Sequence, residues 1–115
     1  MDWTQGHIKA FIISVLRTGA RRWPPKYECL QDAYTGQKIN PKSGRMAKHY
    51  KCAACQQEFT SKDVEVDHIS PVVSVEDGFI DYNTFIERLF CTKENLQVLC
   101  IPCHRKKTKQ EKKLR

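Results

Sequence analysis

No stretch of this 115-residue chain approaches the ~20 apolar residues that a membrane-spanning helix requires. The apolar segment from Ile8 to Leu16 is interrupted by Lys9 and Ser14. The start, Met1-Asp2-Trp3, lacks the basic region of a secretory signal, so a cytoplasmic setting and no membrane partner are expected. Internal repeats and low-complexity linkers are missing, and nothing resembles a separate helix-turn-helix reader of DNA. The length suits one domain with a modest core and is too short for two independent ones.

Charge of one sign is scarce in places rather than overall. Residues 1–51 carry ten Lys/Arg against three Asp/Glu, residues 52–103 three against nine, and residues 104–115 seven against one. The net charge is +7. A basic front and a basic tail thus flank an acidic middle. Phosphate binding by the flanks and cation binding by the middle would produce this pattern, because Lys and Arg neutralise phosphates and release counterions. Ordinary solvated surface would produce it too.

Ile8, Phe11, Ile12, Val15 and Leu16 recur at helical spacing and predict an amphipathic helix that stops near Gly19. Trp23-Pro24-Pro25 predicts an extended connection, since proline disfavours helix in the residue before it. Residues 35–46 read as loop and turn. Val64 to Ile69 alternates like a strand, as does Leu96 to Leu99. Asp81 to Phe90 predicts a helix with Phe85, Ile86, Leu89 and Phe90 on one face; Thr84 with Glu87 forms a capping-box pattern, with Asp81 a rival cap. From Pro102 the chain is polar and Lys-rich, as an exposed helix would be.

Six cysteines in a reducing compartment argue for metal ligation over disulfides. Cys52-Ala53-Ala54-Cys55 and Cys100-Ile101-Pro102-Cys103 are two C-x-x-C pairs, each able to present two sulfurs from one turn. Together they make a tetrahedral Cys₄ zinc site, with an insertion in the 44 residues between the pairs. A redox dithiol would need only one pair. Cys100 to Cys103 with His104 also matches C-x-x-C-H, the haem c attachment pattern. That would leave the other pair idle and belongs to exported chains, so no haem is expected. Cys91 reads as a small core residue; Cys29 has no assignment.

Three further pieces are Asp67-His68 at the end of the first strand, Asn95 at the start of the second, and His104 opening the helix after the second cysteine pair. Strand, strand and helix in that order describe an α+β unit, a β-hairpin packed on a helix and pinned by zinc. Val66-Asp67-His68-Ile69-Ser70-Pro71, then Asn95 to Cys100, then Cys103-His104-Arg105-Lys106-Lys107-Thr108 resemble the HNH (ββα-metal) endonuclease family. The likeness is greatest to small bacteriophage forms with a Cys₄ zinc, and it spans about residues 50–108. The segment from Leu16-Arg17 to Trp23-Pro24-Pro25-Lys26 is similar to the leading region of those phage members. The organisation implied is an N-terminal helix and basic extension over residues 1–49, a nuclease core over 50–108 with an inserted helix, and a basic tail over 109–115.

The resemblance implies a metal-dependent DNA endonuclease in which His68, Asn95 and His104 form the catalytic set. His68 would be the general base, Asn95 would hydrogen-bond the loop behind it, and Asp67 with His104 would hold one divalent cation such as Mg²⁺, Mn²⁺ or Ni²⁺. The products would carry 5′-phosphate and 3′-hydroxyl ends. Arg105, Lys106, Lys107 and Lys109, with Arg17, Arg21 and Arg22, would meet DNA mainly at its phosphates, with weak sequence specificity. For a phage protein acting in a bacterial cytoplasm, genome packaging beside a terminase, homing and attack on host DNA are all open, as is RNA as substrate. Two other functions compete. One is a non-catalytic zinc module that binds nucleic acid, which leaves Asp67-His68 and His104 unexplained; the other is a structural zinc protein that contacts a partner protein, which leaves the net charge without a use.

Overall fold

The computed structural model describes residues 2–114, and among them lie four α-helices and two small antiparallel sheets, an α+β arrangement. The first helix, α1, runs Gln5–Ala20 and is capped by Thr4, whose hydroxyl accepts from the His7 N–H at 3.1 Å. Its buried face is not the expected one. Ile13, Leu16 and Ala20 pack inward, whereas Ile8, Phe11 and Val15 are exposed, Phe11 at 66%. The helix carries two apolar stripes, and a partner more than sixty residues away in sequence selects between them.

Trp23-Pro24-Pro25 does not continue as an extended connection. Trp23 is extended, as a residue before proline should be, but Pro24 and Pro25 open a second helix, α2 (Pro24–Asp32). The first turn of a helix needs no N–H from those positions, so proline is tolerated there. The Trp23 indole N–H donates to the Cys91 carbonyl at 2.7 Å and ties this corner to a distant segment.

Residues 35–46 are likewise not all loop. β1 (Tyr34–Ile39) and β2 (Met46–Lys51) form a hairpin, and only the turn between them matches the expectation. Gly44 takes φ 74° in that turn, a conformation that favours glycine. β3 (Glu58–Thr60) completes a sheet ordered β1-β2-β3. β2 crosses the point between residues 49 and 50 where the resemblance implied a division.

The second sheet is the antiparallel pair β4 (Val64–His68) and β5 (Leu96–Cys100), in register Val64↔Cys100, Asp67↔Gln97 and His68↔Leu96. Alternation gives it two faces. Val64, Val66, Leu96 and Val98 pack with Cys29, Leu30 and Tyr50 from α2 and β2. Cys29 therefore serves as a buried apolar residue, with Cys91 half-buried at the edge of the same cluster. The other face, with Glu65, Asp67, Gln97 and Leu99, looks toward α4 (Ile101–Leu114), which continues directly from β5.

The segment between the two strands holds α3 (Tyr82–Leu89). Asp81, not Thr84, caps it: the Asp81 carboxylate accepts from the Thr84 N–H at 2.7 Å, so the Thr84 capping box does not form. Phe85 and Leu89 are buried against Ala20, Leu16 and Val72, while Ile86 points outward. No described helix is long and apolar enough to cross a membrane.

Candidate functional site

The two cysteine pairs come together. Cys52 and Cys55 lie in the turn between β2 and β3, Cys100 ends β5, and Cys103 sits in the first turn of α4. Their four sulfurs all lie within 4.8 Å of one another, with Cys55 Sγ and Cys100 Sγ 3.9 Å apart. A tetrahedral zinc with bonds of ~2.3 Å needs sulfurs roughly 3.8 Å apart, so the cluster has the size to hold such an ion. The backbone prepares it. The Cys55 N–H points at Cys52 Sγ at 3.5 Å, the Ala53 N–H donates to the Val98 carbonyl at 2.8 Å, and Gln56 turns the chain at φ 63°.

Electrostatics give the same fit. Burial pushes the Cys52 thiol up, but backbone hydrogen bonds at Cys100, Cys55 and Ala54 outweigh it and favour the thiolate. Cys103 is pushed the other way, by its hydrogen bond to Cys100, by burial and by the neighbouring sulfurs. One negative sulfur thus opposes the next. A divalent cation removes that opposition, and soft thiolates suit a metal such as zinc.

A second constellation lines a cleft of about 240 Å³ between β4, α4, α1 and the segment after His68. Asp67, His68 and His104 all reach it, with Arg17, Lys107 and Glu111. His104 Nε2 lies 3.5 Å from Asp67 Oδ1, and its Nδ1 lies 3.2 Å from Glu65 Oε2. Asp67 Oδ2 is held separately, by Lys107 Nζ at 3.0 Å and by the Gln97 amide at 3.2 Å. Lys107 also donates to the His68 carbonyl at 2.9 Å and to Glu111 at 2.7 Å.

The half-buried His68 ring places Nε2 3.0 Å from the Leu89 carbonyl at the end of α3. A carbonyl only accepts, so Nε2 carries the hydrogen and Nδ1 keeps the lone pair. Burial lowers the imidazole's pKa below 6.5, with Lys26 and Arg17 adding to the effect against the Leu89 hydrogen bond and the Asp67 charge. The ring is therefore neutral at pH 7.

Asn95 does not enter the cleft. It ends the short turn before β5, accepts the Ser70 N–H on its Oδ1 at 3.0 Å and the Ile69 N–H on its carbonyl at 2.8 Å. Both bonds grip the two residues that follow His68. Of the cations picked out from sequence, Arg17 and Lys107 line the cleft, Arg21 and Lys106 line neighbouring hollows, and Arg22, Arg105 and Lys109 are exposed.

Glu65, Gln97, Glu111 and Lys26 were not picked out from sequence. Strand alternation would have found Glu65 beside Asp67, and the hairpin register would have found Gln97 opposite it. Glu111 follows Lys107 by one helical turn. No such local signal exists for Lys26. Compared with known proteins, the chain matches no family model, and neither a curated protein nor a solved structure is significantly similar to it.

Proposed function

We propose that the protein is a metal-dependent endonuclease of the HNH (ββα-metal) type that hydrolyses the phosphodiester backbone of DNA. One observation carries this: Asp67 and His68 at the end of β4 and His104 in the first turn of α4 open into one cleft, while Asn95 clamps the loop behind His68. A structural zinc protein or a binding module has no use for that combination.

The chain's own residues perform the following steps. His68, fixed through Nε2 by the Leu89 carbonyl, takes a proton from water at Nδ1, and the water oxygen attacks phosphorus. The 3′ oxygen leaves with the P–O bonding pair and takes up a proton from solvent water, so the products carry 5′-phosphate and 3′-hydroxyl ends. Asn95 is a positioning residue that holds the turn after His68. Lys107 places positive charge beside the scissile phosphate.

A divalent cation fits the remaining donors. Asp67 Oδ1 and His104 Nε2 are 3.5 Å apart, close to the ~3 Å edge of an octahedron with bonds of ~2.1 Å, and they are the hard oxygen and imidazole ligands that Mg²⁺, Mn²⁺ or Ni²⁺ accept. When bound, such an ion neutralises charge developing on the phosphate and on the departing oxygen. The four cysteines would hold a separate, structural zinc, which sets where α4 begins and so where His104 stands.

Conversion of supercoiled plasmid to nicked or linear forms tests the proposal. Wild type should cut only with added Mg²⁺, Mn²⁺ or Ni²⁺, and Asp67→Asn should need far more of the ion. Intact, DNA-binding protein that leaves the plasmid uncut under every ion would favour the binding-module function instead.

A further inference from the structure

Three cations of α1 and α2 stand beside the cleft without a counter-charge. Arg17 lines it, held with its guanidinium 5.4 Å from the Phe85 ring centre. One helical turn after Arg17, Arg21 lines a second hollow with Lys26, Tyr27, Glu65 and Val66, the last two just before Asp67 and His68 in β4. The Glu65 carboxylate is engaged elsewhere, 3.2 Å from His104 Nδ1. Among the described residues no carboxylate lies within 4.0 Å of Arg17, Arg21 or Lys26.

For the arginines a structural reason suffices, because cations complement the negative end of a helix and these two sit at the end of α1. Lys26 has no such reason. It is half-buried, in the first turn of α2, where the helix end is already positive. Burial pushes its ammonium below 10.5, and Arg17 and Arg21 add to this against the Cys91 thiol. A partly desolvated ammonium beside two guanidiniums at a positive helix end is placed against its own electrostatics in three ways. An anion in the hollow relieves all three at once.

We propose that Arg17, Arg21 and Lys26 form a ready-made subsite for a nucleic-acid phosphodiester next to the one attacked at His68. The subsite rests on the nuclease reading for the identity of its polyanion. It needs no divalent cation. It places one wall of the DNA channel on α1 and α2, outside the hairpin and helix that carry the chemistry. A phosphate monoester, free or at a cleaved 5′ end, presents the same oxygens and is the other source of such an anion.

The test uses zinc-loaded protein with His68→Ala, so that DNA stays whole, and a short labelled duplex titrated over a salt series. Lys26→Gln should weaken binding alike for all sequences and lower the slope of log affinity against log salt by about 0.9, the share of one phosphate contact. Lys26→Arg should keep the slope. Lys26→Gln should also melt no lower than its parent, since it removes repulsion rather than a contact. An unchanged slope in Lys26→Gln overturns the subsite. So does a melting rise with inorganic phosphate, at constant ionic strength, that Lys26→Gln abolishes without altering the duplex slope, for the site would then take monoesters. Wild type that binds with the full slope but never cuts would sink the nuclease reading and leave the subsite standing. Wild type that cuts with a slope Lys26→Gln does not change would do the reverse.

Discussion

Two regions of this small protein are held together by different physics. Around the cysteine cluster only Cys52, Leu99 and Cys100 are buried, and half-buried Phe59 and Cys103 complete the packing. That is little apolar area to hold the two cysteine turns and the start of α4, and metal ligation would supply what packing does not. Between α1 and α3 the reverse holds. Ala20, Val72, Phe85 and Leu89 are buried with Leu16, Phe79 and Phe90 around them, and no ligand is called for. The cleft draws on both. His104 follows Cys103 directly, whereas the His68 imidazole hangs from a carbonyl of α3. The His104 side of the cleft would therefore depend on metal ligation at the cysteines, whereas the His68 side rests on carbon packing.

Breaking one region at a time sharpens this contrast. The largest effect is expected from Cys100→Ser, which removes one of the four cysteines that could hold a metal, at a buried position; zinc content by atomic absorption should fall and unfolding should become easier by several kcal/mol. A chelator strong enough to strip the metal should reproduce that loss in wild type and do little further to the variant. Full zinc content and wild-type stability in Cys100→Ser would show that the cluster does not hold the fold. Next comes Phe85→Ala. Phe85 is 2% exposed, so truncation should cost about 3–5 kcal/mol in a urea titration, with zinc content unchanged. Loss of zinc in this variant would show that the two regions are not separable. The smallest effect belongs to Asp81→Ala, which removes the cap of α3. Hydrogen bonds from the Thr84 N–H and hydroxyl hold the Asp81 carboxyl below 3.8. Its contribution is therefore complete above pH 3.8 and lost as pH falls through the lower native value. The variant should melt a few degrees lower at neutral pH, and the gap should close in strong acid.

Local chemistry was legible in the sequence, and long-range choice was not. The knuckles, β4, β5 and α4 could be read because each C-x-x-C pair, each alternating run and the polar tail carry their signal within a few residues. The placing of Asp67, His68, Asn95 and His104 followed from their positions along those elements. The face of α1 could not be read, because two apolar stripes compete and α3 decides between them. Pro24-Pro25 concealed α2, since the dipeptide both breaks a helix and opens one. Gly36, Gly44 and Pro41 made the β1–β2 hairpin look like loop, although its strands pair from Tyr34 to Ile39. Lys26 was invisible as a site residue because its meaning comes from Arg17 and Arg21, brought beside it only by the corner between two helices.

The most direct test of the central claim is the cleavage rate of a defined, end-labelled duplex by zinc-loaded wild type and His68→Ala at the same concentration of divalent cation. Removal of a positioned general base should slow cleavage by roughly 10²–10⁴-fold while zinc content and duplex affinity stay as they were, and the wild-type products should carry 5′-phosphate ends. Equal rates for the two proteins would contradict the account, because the group on which the cleft is built would then take no part in the reaction.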